Sequence, residues 1–428
     1  MNKTHLEDWL KHLETLHPTE MELSLERVRQ VACALDLLSP TVPVVTIAGT
    51  NGKGTTAAAL EMLLLATGRR PGVFTSPHLL RFNERICVAG VEVVDEAIVM
   101  AFRQIETARA STSLTYFEFT TLAALLVFRE QACDVIVLEV GLGGRLDATN
   151  IVDADVAVIT SIGLDHERWL GSGRNLIARE KAGILRVGKP AVIAEADPPP
   201  DLLAAVADSG CQPWWIGRDF NCEQMDAGWY ATLRDRQRQI LTLPVIAYSS
   251  LVPSNLCAAL QVLLLLGESP PQSELPVLFA KLAPSGRGQH IRQGGVDYIL
   301  DVAHNPDSVK ILLERLSPTN CNKKVYALFS VMADKDFERI IRQCTKAFDG
   351  WFVAEQPDNP RAATAAQLVP LLQQAGECVL GIGNNLPQAL ALAQQKLKAG
   401  EQLVIFGSFF TVAAMLPLLT CDPDRKKP

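Results

Sequence analysis

Lys53 is the residue with the most direct chemical potential. It stands in Gly49-Thr50-Asn51-Gly52-Lys53-Gly54-Thr55-Thr56, three glycines around one lysine with two hydroxyls after it. Glycines let backbone N–H groups converge on phosphate oxygens, a lysine reaches the outer phosphates, and a threonine hydroxyl can ligate Mg²⁺. Val44-Val45-Thr46-Ile47-Ala48 leads in as a β-strand, and the Ala/Leu-rich run 57–66 leads out as a helix. A helix N-terminus adds its dipole to such an anion site. The spelling departs from G-x-x-x-x-G-K-[ST]: Gly54 separates Lys53 from Thr55, and the glycine spacing is shorter. A glycine-rich turn with an incidental lysine is the competing reading, and the flanking strand and helix favour phosphate.

Two more groups belong to the same chemistry. Glu139 ends the apolar run Asp134-Val135-Ile136-Val137-Leu138-Glu139, and His166 follows the apolar run 154–162. Ligands of parallel sheets gather at the C-terminal ends of strands. Glu139 is therefore a candidate Mg²⁺ ligand, against a carboxylate that only caps the next turn. His166 reads equally as a ligand or as a satisfied structural histidine. Gly141-Leu142-Gly143-Gly144-Arg145-Leu146-Asp147-Ala148-Thr149-Asn150 suits close backbone approach to a substrate. On composition Lys181, near the end of a helix that starts near Arg174, is a solvated helix lysine. Asn255 opens an apolar helix that runs to Leu266 and reads equally as its N-cap.

These residues need elements to hold them. At 428 residues the chain should hold two or three domains. Its 48% hydrophobic and 20% charged content supports large cores. Residues 5–16 predict an amphipathic helix, and a second helix runs from near Ser24, its N-cap, to Leu38. A short strand is expected at 70–76, a helix capped by Asp95, a buried helix in the second half of 114–128, a strand at 191–194 and a β-rich insertion at 210–245. Ser285-Gly286-Arg287-Gly288 breaks the pattern. The domain reading is 1–284, a linker at 285–295 and a second domain at 296–428. In the latter, strands at 297–301, 324–329, 350–354 and 402–406 alternate with helices, which implies a parallel αβα sheet. The tail after Thr420 should fray.

Composition also excludes classes. A net charge of −7 argues against nucleic-acid binding by phosphate neutralisation. Ten cysteines lie between Cys33 and Cys421 with no C-x-x-C pair, which suits reduced thiols in a cytoplasmic protein and not a zinc site. Residues 1–18 lack the apolar core of a signal peptide, and the most apolar segment, near 260–266, is too short for a bilayer. No Asn-Lys-x-Asp motif supports a GTPase, since Asn322-Lys323-Lys324-Val325 lacks the aspartate. A kinase or motor ATPase stays open on the loop alone.

The ordered strings 49–56, Thr75-Ser76-Pro77-His78-Leu79, 138–150, Arg179-Glu180-Lys181-Ala182-Gly183, Leu300-Asp301-Val302-Ala303-His304-Asn305-Pro306 and Gly407-Ser408-Phe409 resemble the folylpolyglutamate synthases, and within them the bifunctional dihydrofolate synthase/folylpolyglutamate synthase family of the Mur ligase superfamily. The resemblance spans about residues 20–415. It implies an α/β fold: an N-terminal P-loop Mur-ligase-like ATPase domain with a parallel sheet, plus a smaller C-terminal αβα Rossmann-like domain. It implies a monomer that ligates L-glutamate to dihydropteroate and to reduced folates through an acyl phosphate, with ATP and two Mg²⁺ ions, and it allows a monovalent cation such as K⁺.

Carried over by position, Thr50, Asn51, Gly52, Lys53, Gly54 and Thr55 would hold ATP phosphates, with Asn255, Arg287, Asp301 and His304 as further ATP-site residues. Ser76, Glu139 and His166 would be metal ligands. Lys181 would be carbamylated, and Lys53, Lys181 and His166 would be catalytic. Glu22, Leu23, Ser24 and Leu25, Thr115, Tyr116, Phe117 and Glu118, and Leu146, Asp147 and Ala148 would meet the pterin-bearing substrate. The family's Pro-Gly-Arg-Phe is here Ser285-Gly286-Arg287-Gly288, and Glu167-Arg168 has no match in the family pattern. Three alternatives compete: a folylpolyglutamate synthase without dihydropteroate activity, a Mur-type cell-wall ligase, and a non-catalytic nucleotide-binding regulator. The last predicts loss of Glu139, His166 or Lys181, and all three are present.

Overall fold

The computed structural model describes residues 5–19, 22–316 and 323–420. The tail read as frayed, 421–428, lies outside them, as does Asn322 of the string tested for base reading. The chain divides into two compact units, Met1–Gly163 with Glu167–Leu282, and Leu164–His166 with Ala283–Pro428.

The first unit opens with helices α1 (Leu6–Leu16) and α2 (Glu26–Ala34). Strand β1 (Val44–Ala48) then leads into helix α3 (Lys53–Ala66). Strands β2 (Pro71–Phe74), β3 (Ile86–Val88), β4 (Val91–Glu92), β5 (Val135–Glu139), β6 (Val156–Ile159), β7 (Pro190–Ile193) and β8 (Gln212–Trp215) complete an eight-stranded sheet ordered β4-β3-β2-β5-β1-β6-β7-β8. β1 lies near its middle, parallel to β5 and β6, with Ile47 opposite Glu139 and Val158. Every residue of β1 and β5 is buried, which is why both read as unbroken apolar runs rather than alternating ones. Side chains alternate between the faces. Val44, Ile136 and Leu138 pack under α1, α2, α4 (Asp95–Arg109) and α5 (Tyr116–Glu130). Val45, Ile47, Val135 and Val137 pack under α3 and the apolar helix Pro253–Leu265. Strands β9 (Asn221–Met225), β10 (Gly228–Arg234) and β11 (Ile240–Thr242) form a separate antiparallel sheet.

The second unit is a six-stranded sheet of β12 (Gln289–Gln293), β13 (Val296–Asp301), β14 (Val325–Phe329), β15 (Gly350–Ala354), β16 (Val379–Gly383) and β17 (Gln402–Phe406), ordered β12-β13-β17-β14-β15-β16. All pairs are parallel except β12 with β13. Its core is aromatic: Phe329, Trp351 and Phe406 are fully buried, and the Phe329 and Phe406 rings are 5.0 Å apart.

Four local expectations need correction. The stretch read as a linker contains β12, joined to β13 by Gly294-Gly295, both at positive φ (59° and 78°). A Gly-Gly pair between short runs is a two-residue hairpin signal, and it was legible. Strand β16 went unread because two glycines dilute its pattern. Asp95 is the first residue of α4 and not its cap: its carboxylate accepts from Asn83 Nδ2 at 2.8 Å. Helix α2 starts at Glu26 after Leu25, with the Ser24 hydroxyl accepting from the Glu26 N–H at 3.3 Å. The buried helix fills α5 from Tyr116 onward, not only the second half of its stretch.

On α3, Glu61 has a buried carboxylate oxygen, Oε1, without a hydrogen-bond partner among the described residues. Burial pushes its pKa up, against the Gly90 backbone N–H that bonds to it. The folded chain therefore holds this proton more tightly than the unfolded chain. The stability that the proton contributes is complete below the ordinary carboxylate range and is lost as pH rises through the raised value. Glu61→Gln should raise the thermal unfolding midpoint at about pH 8 and leave it nearly unchanged at about pH 4. An equal shift at both values would mean that the charge is not the cause.

Candidate active site

The glycine loop is held by backbone and hydroxyl contacts before any ligand is considered. Thr50 N–H donates to Ser161 O at 2.7 Å, and Asn51 N–H donates to Ser161 Oγ at 3.0 Å. Thr160 Oγ1 donates to Asn51 O at 2.7 Å. A Cβ on Gly49 would lie 1.8 Å from Thr160 Oγ1, so only glycine lets the loop rest on β6. Gly52, at φ +91°, caps α3, and a Cβ there would lie 2.4 Å from Asn255 Oδ1. Asn255 is thus not the N-cap of its helix, which is Val252; its amide packs on Gly52 of the loop.

Two lysines converge on the loop. Lys53 Nζ donates to Gly49 O at 3.0 Å and to Thr50 O at 3.3 Å. Lys181 Nζ donates to the same Gly49 O at 2.9 Å. Lys181 is 4% exposed, which corrects the reading of a solvated helix lysine. Its helix, Arg174–Ala182, turns it inward, and the Arg145 N–H bound to Glu180 O at 2.8 Å ties that helix to the 141–150 loop. The spacing of charges along a sequence does not show which face of a short helix is buried.

One strand over, Glu139 is 4% exposed and its Oε2 accepts from the Ser76 N–H at 3.1 Å. Ser76 and Glu139 are therefore together. Among the described residues no group of three or more His, Cys, Asp or Glu is arranged to hold a metal ion unaided. A buried carboxylate beside a serine offers hard oxygen donors, and Mg²⁺ is ordinarily held by one or two carboxylates plus phosphate oxygens and water. The donors present suit Mg²⁺ in that role.

The residues carried over as substrate contacts divide into contact and support. Glu118, 3% exposed, has both oxygens committed: Oε2 to the Thr115 N–H at 2.7 Å and Oε1 to Arg27 at 3.1 Å. Thr115 returns its hydroxyl to the Glu118 N–H, completing a capping box on α5. Asp147, also buried, accepts from Thr149 N, Thr149 Oγ1 and Leu142 N at 3.0, 2.6 and 2.9 Å. Burial pushes its pKa up against these hydrogen bonds. Ala148 is buried in the core, and Leu146, Tyr116 and Phe117 are half-buried. Phe117 lies against Gly141, where a Cβ would come within 2.6 Å of its ring.

In the second unit, Asp301 accepts from Gly288 N and Ala303 N, each at 2.8 Å, and Arg315 approaches it at 3.5 Å. Burial pushes the Asp301 pKa up, while Arg287 and Arg315 pull it down. The Arg287 guanidinium lies over the Phe409 ring at 5.4 Å. His304 Nδ1 faces Val302 O at 2.8 Å, and its Nε2 faces Asp165 Oδ2 at 3.3 Å. Asp165 also binds Asn305 Nδ2 at 3.1 Å and the Lys335 ammonium. Burial alone would raise the Asp165 pKa, but the His304 hydrogen bond and the charges of His304, His166 and Lys335 hold it far below the carboxylate range. Sequence reasoning passed over Asp165 and Lys335; a charged pair so far apart in the chain has no local signature. His166 stands beyond β6 and not at its end, at φ +53°, in the three-residue segment that clusters with the second unit.

Comparison with known proteins fits this arrangement. Residues 47–243 match the Mur ligase middle domain, and residues 286–409 match the Mur ligase glutamate ligase domain. The chain is 40% identical over 415 residues to the dihydrofolate synthase/folylpolyglutamate synthase of Escherichia coli K12, covering 97% of this chain and 95% of that one. The chain belongs to the dihydrofolate synthase/folylpolyglutamate synthase family. Among solved structures it superimposes on E. coli FolC in complex with DHPP and ADP, with TM-score 0.90 and 40% identity over 97% of both chains. A bifunctional folylpolyglutamate synthase/dihydrofolate synthase with Mn, AMPPNP and L-glutamate bound gives TM-score 0.88 and 41% identity, over 98% of this chain and 99% of that one. The family and fold class implied by the sequence strings are therefore correct. The middle-domain match contains the glycine loop, Glu139 and Lys181, and the ligase-domain match contains Arg287, Asp301 and His304.

Gly52 and Gly68 allow a clean test of the loop. Both have strongly positive φ, +91° and +80°, but a Cβ on Gly68 would meet nothing within 4 Å. Gly68→Ala should cost only the left-handed backbone penalty, about 1–2 kcal/mol. Gly52→Ala should cost more, because it must also displace Asn255. Denaturant unfolding of the two variants measures the difference, and equal losses would show that Asn255 moves aside freely.

Proposed function

We propose that this protein ligates L-glutamate to dihydropteroate, giving dihydrofolate, and to reduced folates, giving folylpolyglutamates, with ATP as the energy source. The observation that carries the reading is the juxtaposition of the Lys53 loop with Glu139 on the adjacent strand, in a chain of this family along nearly its whole length. The substrate carboxylate attacks the γ-phosphorus of ATP, the bond to ADP breaks, and an acyl phosphate forms. The amino group of glutamate adds to the acyl carbon, loses a proton, and the tetrahedral adduct expels phosphate to leave the amide. A carboxylate is a poor acyl donor, and phosphorylation supplies its leaving group. Protein groups then act by positioning and by stabilising phosphoryl charge.

In this scheme the first turn of α3 and Lys53 hold the phosphates, with Thr50, Asn51, Gly52, Gly54, Thr55 and Asn255 shaping the cradle. Ser76 and Glu139 would hold Mg²⁺, with His166 proposed as a further ligand, and the ion would supply charge neutralisation at the phosphates. Carbamylation of Lys181 exchanges a buried ammonium for an anion able to support a second ion. Arg287, Asp301 and His304 would be further nucleotide-binding residues. Tyr116, Phe117, Leu146 and the Glu22–Leu25 segment meet the pterin-bearing substrate, while Glu118 and Asp147 fix the loops that carry them. The protein acts as a monomer.

Glutamate-dependent phosphate release should appear with dihydropteroate and, separately, with tetrahydrofolate. Release with tetrahydrofolate alone would reduce the protein to a folylpolyglutamate synthase, and release with neither would refute the ligase reading. Lys53→Ala should lower turnover with both acceptors by about a hundredfold or more. Near-normal rates in that variant would remove the loop from the phosphate site.

A further inference from the structure

Arg27 is absent from every motif that carried the reading, yet it ties together two of the segments assigned to the pterin-bearing substrate. It is the second residue of α2, and its side chain is 19% exposed. One arm of its guanidinium, Nη1, binds the Glu22 carboxylate, and the other, Nη2, donates to Glu22 O at 3.4 Å and to Glu118 Oε1 at 3.1 Å. Glu22 opens the Glu22–Leu25 segment that leads into α2, and Glu118 sits in the capping box of α5. The connection continues outward: Glu22 Oε2 meets His17 Nε2 at 2.9 Å, and His17 Nδ1 meets Ser113 Oγ at 3.1 Å.

The strength of this tie depends on the fork shape of arginine. A planar guanidinium can bond two acceptors in fixed directions, and a lysine ammonium cannot reproduce that geometry. Glu118 is 3% exposed, so loss of Arg27 would leave a buried carboxylate without its counter-charge. The remaining guanidinium nitrogen, Nε, is buried and has no hydrogen-bond partner among the described residues.

We propose that Arg27 is a positioning residue for the pterin-bearing substrate, locking the Glu22–Leu25 segment to the N-terminus of α5 so that the two segments present one rigid surface. This rests on the ligase function proposed above. Both acceptors carry the pterin ring, so both should feel its loss alike, while ATP and glutamate should not.

The test is steady-state kinetics on the full chain with Arg27→Ala and Arg27→Lys. Arg27→Ala should raise KM for dihydropteroate and for tetrahydrofolate by about ten- to a hundredfold, the range for a charge-assisted hydrogen bond. KM for ATP and for glutamate, and kcat, should stay within about twofold of wild type, since the contact is the same in ground and transition states. Arg27→Lys, which keeps the charge and loses the fork, should fall between the two. Should Arg27→Ala fail to fold, Arg27→Lys decides: a wild-type KM for both pterin substrates overturns the inference. Equal losses in kcat and in KM for ATP would also overturn it, showing a general structural role. Wild-type protein inactive with both acceptors would instead refute the ligase reading, so the two failures are distinguishable.

Discussion

The carbonyl oxygen of Gly49 receives two ammonium groups, Lys53 at 3.0 Å and Lys181 at 2.9 Å. This one acceptor organises the first unit. It lies directly after β1, whose five residues are all buried, so the sheet core fixes where it stands. Thr160 and Ser161, just after β6, hold the residues on either side of it: the Thr160 N–H donates to Ala48 O at 2.9 Å, and the Thr50 N–H donates to Ser161 O at 2.7 Å. A buried lysine needs an acceptor close by, because desolvating its charge costs several kcal/mol, on the order expected for any buried ion. For Lys181 the Gly49 carbonyl supplies one such acceptor. The Lys53 ammonium stands at the N-terminus of α3, where the helix dipole has the same sign.

Much of this was legible from the sequence, and the limits have physical causes. The buried strands β1, β5 and β17 announce themselves as largely apolar runs, α1 by its apolar periodicity, and α5 in its second half. So does the glycine loop, because its conformational demands are written in residues that only glycine satisfies. What failed were features set by distant partners. Lys181 read as solvated because its acceptor lies 132 positions away. Asn255 stayed undecided between a cap and a binding role because nothing near it shows that its amide packs on Gly52. Asp165 and Lys335 went unnoticed because their pairing spans 170 positions. β12 and β16 are different, since their signals are local: a hairpin whose Gly-Gly turn could have been recognised, and a strand diluted by two glycines.

A recurring device holds the loops between these elements. Glu84 accepts from the N–H groups of Leu79, Leu80 and Arg81, each at 2.7 Å. Asp147 does the same for the 141–150 loop, Glu118 for the start of α5, and Asp301 for the turns at Gly288 and Ala303. Burying a carboxylate is unfavourable, but several backbone N–H donors to one carboxylate offset most of the cost. The donors gain as well, since loop N–H groups that lie inside would otherwise be unsatisfied.

This division of labour explains how an acidic protein can serve anionic substrates. The net charge of −7 describes the whole surface, not the site. Near the loops, the acidic groups Glu84, Glu118, Asp147 and Asp301 are consumed by backbone N–H groups or by arginines within their own unit. Their charge is turned toward the scaffold. Lys53, by contrast, donates to the neutral carbonyls of Gly49 and Thr50 and brings a cation to the loop. Loops already fixed in this way have little conformational freedom left to lose on binding. The binding energy of a phosphate or a carboxylate can then go into holding reacting atoms together, which is what phosphoryl transfer to a weak nucleophile requires.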